Sequence, residues 1–256
     1  QGFDYAFLEN ARKLEQGRDF QFNSQLGYIS LNQRLSNDEV LAVAFQYTYN
    51  GNVYQVGEFA NGGLDATTVS GAIENQVINN NTLVLKLLKS NITNVSDPIW
   101  DLMMKNIYAT GAFRLSQDDF KMNILYSNPT PRNYITPIDD ATWPDGLQDR
   151  ILLNVFNFDR LNVYNDVQPG GDGFFDFIPG LTVDTQNGQI IFTKVEPFGE
   201  YLFEQLGGGD YNNANGYNPN QERYVFRDMY ELTKSAALQD PEKNKFLMNL
   251  EKYQIN

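Results

Sequence analysis

Along the first third of the chain, apolar and polar residues alternate with a period of two, and glycine or asparagine interrupts the alternation at intervals. In "GRDFQFNSQLGYISLN" (17–32), Phe20 and Phe22 share one face before the turn, and Ile29 and Leu31 share it after Gly27. The intervening "NSQLG" carries turn chemistry, so the stretch predicts a hairpin. "DEVLAVAFQYTYNGNVYQVGEF" (38–59) predicts a second one. Leu41, Val43, Phe45, Tyr47 and Tyr49 form its larger apolar face, and Asn50-Gly51 suits the positive φ angles of a two-residue type I′ turn. "TLVLKLLKS" (82–90) and "DFKMNILY" (119–126) read as further strands.

Helical punctuation is sparser. In "SDPIWDLMMKNIYATG", Asp97 can cap, Pro98 suits the first helical position, and Gly111 can stop the helix. Ile99, Trp100, Met103, Met104 and Ile107 would then form one apolar stripe, read as core. Leu147, Ile151 and Val155 make a second stripe, "YVFRDMYELTKSAAL" is read as helical, and "DYAFLENARKLEQG" as a helical turn or two. "FDFIPGLTVDTQNGQIIF" returns to strand–turn–strand. With Gly188 aligned on Gly27, an offset of 161, Phe20 meets Leu181, Phe22 meets Val183, Ile29 meets Ile190 and Leu31 meets Phe192. One shared hairpin design is slender evidence for duplication, but it favours one-sided sheets packed together.

These elements predict a mainly β (α+β) fold of antiparallel hairpins packed sandwich-like, with a few short helices. The expected organisation is one β-rich unit over 1–256. A finer division would place lobes 1–126 and 147–206 around a loop 127–146. Beyond them come a flexible Gly/Asn loop 207–220 and a helical or extended tail 221–256.

Composition narrows the chemistry. The 256 residues include no His and no Cys. That removes Ser-His-Asp and Cys-His catalysis, zinc, haem and iron–sulfur ligation through those residues, and disulfides. The 32 acidic residues against 19 basic ones give a net charge of −13, which disfavours nucleic acid and anionic membranes as partners. No run approaches the roughly 20 apolar residues of a spanning helix. The opening "QGFDYAFLEN" has neither an initiator Met nor a signal core, as expected of an excised or processed segment.

Candidate chemistry rests on carboxylates. Asp166, Asp172 and Asp176 flank the glycines of "NDVQPGGDGFFDF" (165–177) and are the metal candidates. Set on the EF-hand template with Asp172-Gly173 at positions five and six, the segment puts Gln168 at position one and Gly170 at position three. That leaves too few oxygen anions, so a structural turn is the better reading and no cofactor is expected. Asp118-Asp119 and Asp139-Asp140 are adjacent acids, which point to opposite faces of a strand and form no catalytic dyad. Gly207–Gly209 lacks the Lys-Ser/Thr of a phosphate-binding loop. Tyr211, Asn212, Asn213 and Tyr217 in that loop, taken as exposed, are the candidates for partner or cargo contact.

The stretch 17–59, "LVLKLLKSN", "PIWDLMMKNIYATGAF", "NFDRLNVYND", "FFDFIPGLTVDTQNGQIIF" and "VEPFG" occur in order. Together they resemble the SprA/Sov family of Bacteroidetes cell-surface proteins, from about residue 9 to 203, with fainter similarity through "ALQDPEKNKF". The resemblance implies a non-enzymatic domain of the outer-membrane translocon of the type IX secretion system, which exports folded cargo and gliding adhesins. It implies a far longer parent chain and an outer-membrane-associated position. The extracellular cap is favoured, with the periplasmic side as the alternative. It also implies PorV-like and plug proteins and secreted cargo as partners, this segment itself not spanning the membrane. A stand-alone cell-surface module for glycan or protein is the rival reading, and a carboxylate-dependent glycoside hydrolase ranks below both.

Overall fold

The structure is a computed structural model, which describes residues 5, 7, 8, 11–59, 67–70, 77–80, 82–118 and 120–251. The chain forms two compact units, Gln1–Met103 and Met104–Asn256. The fold is mainly β, built from small antiparallel sheets of two or three strands with short helices between them.

In the first unit, β1 (Phe20–Asn23) and β2 (Tyr28–Leu31) form the predicted hairpin, pairing Phe20 with Leu31 and Phe22 with Ile29. β3 (Leu41–Val43) does not continue into the next hairpin as its alternation suggested. It pairs through a bulge with β8 (Lys86–Lys89), and the Lys89 ammonium donates to the carbonyls of Ser36, Asn37 and Glu39 beside it. β4 (Phe45–Tyr49) and β5 (Asn52–Val56) make the second hairpin, turning at Asn50 (φ 49°) and Gly51 (φ 78°). β6 (Thr67–Ser70) pairs with β7 (Val77–Asn80). The described part of 4–17 carries no helix.

The helix expected across 97–111 is a correction. Only Pro98–Leu102 winds, as a 3-10 helix without a side-chain cap on Asp97. Ile107 already belongs to β9 (Ile107–Ala109), and Met103 and Met104 are exposed rather than core. A tertiary pairing outweighs the local signal here. β9 docks on the second copy of the hairpin design, and Asn106 exchanges hydrogen bonds with the Phe192 backbone.

The second unit holds two three-stranded sheets that feed one core. β10 (Lys121–Ser127) alternates as predicted, burying Met122, Ile124 and Tyr126. It pairs with β11 (Pro131–Arg132) on one side and with β14 (Phe246–Glu251) on the other. The tail is therefore partly a strand of the core sheet, its last residues, 252–256, lying outside the described ones. The 127–146 segment is no lobe boundary, because side chains of a helix fasten it to the unit. Tyr224 donates to the Thr136 carbonyl, and Asn220 accepts from the Ile138 amide.

The other sheet joins β9, β12 (Val183–Asp184) and β13 (Gln189–Ile191). Short helices complete the unit: α1 (Leu152–Val155), α2 (Leu202–Gln205), α3 (Pro219–Tyr224), α4 (Asp228–Glu231) and α5 (Lys234–Ala237). Leu147 sits in a separate 3-10 turn, so the Leu147/Ile151/Val155 stripe is not one helix.

The two hairpins related by the 161-residue offset share register as well as pattern. Phe22 faces Ile29 as Val183 faces Ile190. Asn23 Oδ1 accepts from the amides of Gln25 and Leu26, and Asp184 Oδ1 accepts from those of Gln186 and Asn187. Gly27 and Gly188 both take positive φ, 69° and 63°. Only their surroundings differ. A Cβ on Gly27 would meet open space, whereas one on Gly188 would stand 1.6 Å from the Ala112 carbonyl oxygen. Gly27→Ala should therefore cost about 1–2 kcal/mol, the strain of a left-handed residue. Gly188→Ala should cost clearly more, because the turn must also move off Thr110 and Ala112, which follow β9. Denaturant unfolding of the two variants tests this, and equal losses would contradict it.

Candidate functional site

The metal candidates fall in a loop in which Asp159, Asp172 and Asp176 turn their carboxylates on the loop's own backbone. Asp159, only 1% exposed, accepts from the amides of Asp172 at 2.7 Å and Gly173 at 3.2 Å. Its approach is so close that a Cβ on Gly171 would lie 2.2 Å from the carboxylate. Asp176 accepts from the amides of Arg160 at 2.6 Å and Leu161 at 3.3 Å. Asp172 accepts from Phe174, and the exposed Asp166 engages Asn162 through its backbone. Among the described residues, no three acidic groups gather as an ion site. The glycine-flanked acids drew attention in the sequence, whereas Asp159, the most buried acid of the loop, lies outside that cluster and was missed.

The loop that follows α2 corrects a second expectation. Tyr211 and Tyr217 are part-buried, not exposed. Both rings lie against Phe203, at 5.4 and 4.8 Å between centroids. The Tyr211 hydroxyl donates to Glu196, and the Tyr217 hydroxyl donates to the Tyr211 carbonyl. Arg227 lies over the Tyr211 ring and donates to the carbonyls of Tyr211 and Asn212. Asn218 and Gln221 form a capping box at the start of α3, and Gln221 also reaches the Gly208 carbonyl. Of the four contact candidates, Asn212 and Asn213 alone stand exposed. The acid pairs join no site either: Asp139 and Asp140 are exposed, and Asp119 lies outside the described residues.

An exposed face of mutually packed aromatic rings lies in the first unit, on the β4–β5 hairpin. Cross-strand register places Phe45, Tyr47 and Tyr49 on one face with Tyr54 and Val56. Tyr47 stacks on Tyr54 at 5.2 Å, and Phe45 lies 6.1 Å from Tyr47. Phe45, Tyr47, Tyr49 and Tyr54 are 41–63% exposed, so the larger apolar face of the hairpin is open. Between residues 45 and 56 there is no charged side chain in a chain of net charge −13. Among the described residues β4 and β5 pair only with each other, leaving both outer edges without a strand. Natural edges are usually protected by charge or proline. An uncharged aromatic hairpin with open edges can offer rings for packing and backbone groups for strand addition.

Neither the models of known protein families nor the curated proteins give a match to this chain.

Two measurements follow for the acid loop. Asp159→Ala strands two loop amides and should cost about 2–3 kcal/mol in chemical denaturation. Burial, the largest influence, raises the carboxyls of Asp159, Asp176 and Glu196 above the ordinary range. Each therefore takes up its proton in the folded chain at a pH where the unfolded chain is still ionised. The contribution to stability grows as pH falls through the folded value and is lost as pH rises through it. Asp159→Asn should accordingly show its most favourable Tm relative to the parent sequence near pH 7, the advantage shrinking towards pH 4. A growing advantage would mean that the Asp159 carboxyl is depressed instead.

Proposed function

We propose that this chain is a non-enzymatic domain of a type IX secretion translocon of the SprA/Sov kind, working by protein contact in the export of cargo and gliding adhesins. The carrying observation is the β4–β5 hairpin, uncharged, aromatic and with two edges unpaired among the described residues, which suits it to binding another protein. The sequence resemblance supports the reading across the same segment, since 17–59 contains both this hairpin and β1–β2. No helix among the described residues is long and apolar enough to cross a membrane. On this reading the domain is carried at the outer membrane by the rest of a longer protein, with the extracellular face favoured. PorV-like and plug components and secreted cargo are its partners.

The stacked Tyr47–Tyr54 pair also favours a second reading, a cell-surface module that stacks sugar rings on an aromatic platform. One variant separates the two. Tyr47→Ser with Tyr54→Ser removes a cross-strand pair worth about 0.2–1 kcal/mol, so the chain should stay folded. In the full-length parent, cargo secretion should fall while the barrel still assembles. Normal secretion together with lost glycan-array binding would instead establish the sugar-binding module.

A further inference from the structure

Tyr126 is 6% exposed, and its hydroxyl, which feels the nearby Arg223 guanidinium, makes no hydrogen bond of normal geometry among the described residues. Native structures rarely leave a buried hydroxyl so. This one lines a cleft of about 270 Å³ in the second unit. Tyr126 faces Arg132 across the β10–β11 pair, so both side chains leave the sheet on the same side. α3 supplies another wall. Tyr224 packs edge-on against Tyr126 at 4.9 Å and pins the opposite segment through the Thr136 carbonyl, and Arg223 stands beside it in the lining. Ile135 and Ile138 give the cleft an apolar side.

The charges are unequal. Arg223 has an acidic neighbour, Glu242, at 3.9 Å. Arg132 rests over the Tyr134 ring at 6.0 Å, and no ion pair occupies it among the described residues. One guanidinium without an ion pair, and one hydroxyl whose neighbour Arg223 has donors only and so leaves its proton free to be donated, make a local preference for a single negative charge. A guanidinium fork matches a carboxylate in plane and spacing. The lining contains no lysine and no glycine-rich turn of amides, which a dianionic phosphate would favour.

We infer that this cleft binds a monoanionic carboxylate carried on a small apolar body, either as a free acylated amino acid or as the last residue of a peptide. Arg132 pairs with the carboxylate, Tyr126 donates to it, and Ile135, Ile138 and Tyr134 receive the apolar part. The site is independent of the hairpin on which the translocon reading rests.

The test uses the 256-residue chain, labelled with ¹⁵N, and follows the amides of Arg132 and Thr136 during titration. N-acetyl-leucine should bind, and N-acetyl-leucinamide should bind at least about tenfold more weakly, a loss of about 1.4 kcal/mol. Arg132→Gln should weaken N-acetyl-leucine by about tenfold with an unchanged Tm, since Arg132 is exposed. Tyr126→Phe should also weaken binding without lowering Tm, because the hydroxyl it removes makes no hydrogen bond of normal geometry among the described residues. A blocked peptide ending in free leucine distinguishes the sources. Equal binding assigns the site to peptide ends and binding of the amino acid alone assigns it to small acids, either of which supports a carboxylate site. Acid and amide binding alike, inorganic phosphate binding more tightly than the acid, no binding by any probe, or an unaffected Arg132→Gln would each overturn the inference.

Discussion

A single aromatic cluster holds the second unit together. Phe156 lies within 5.0–6.3 Å of Phe192, Phe198, Tyr201 and Phe246, mostly edge to face. Phe192 in turn meets Tyr108 at 5.4 Å and Phe158 at 4.7 Å. These rings come from β9, from the turn that ends α1, from the exit of β13, from the bend before α2 and from β14. Among the described residues the longest strand has seven residues and the longest helix six. Elements that short are marginal alone, so their stability comes from packing. Each edge-to-face pair adds about 0.5–1.5 kcal/mol beyond its buried area, and the cluster multiplies that across sequence-distant pieces.

The same constraint explains why one hairpin design serves two ends. β1–β2 and β12–β13 share register, Asx turn and glycine position, all of which are local properties. Near the cluster, Val183 and Ile190 are fully buried and β9 adds a third strand. In the first unit the equivalent Phe22 remains 51% exposed. The pattern of alternation is equal in the two copies, so what differs is the number of apolar neighbours that each can recruit.

The loops rich in acids and asparagines behave in a related way. Their polar side chains substitute for regular secondary structure by accepting from backbone amides, as Asp159 and Asp176 do, or by capping, as Asn218 does. A carboxylate engaged on two amides is a fastener rather than a ligand. The tyrosines of 211–217 half-bury their rings and spend their hydroxyls internally, which removes them as an open contact surface.

By itself, the sequence determined what depends on neighbours a few positions away. The Asn50-Gly51 turn, the two offset-related hairpins, the alternation of β10 and the mainly β class all follow from φ preferences, turn side chains and period-two patterning. The tertiary structure decided the rest. Phe45, Tyr47 and Tyr49 look like a buried face until no second layer arrives among the described residues to cover them. The Pro98 helix stops after Leu102, and from Ile107 the chain takes up the edge of β13 as a strand. β3 chooses β8, and the tail chooses β10, across long stretches of chain that carry no local mark of either pairing. Burial is a property of what packs against a residue, and alternation records only which residues share a face.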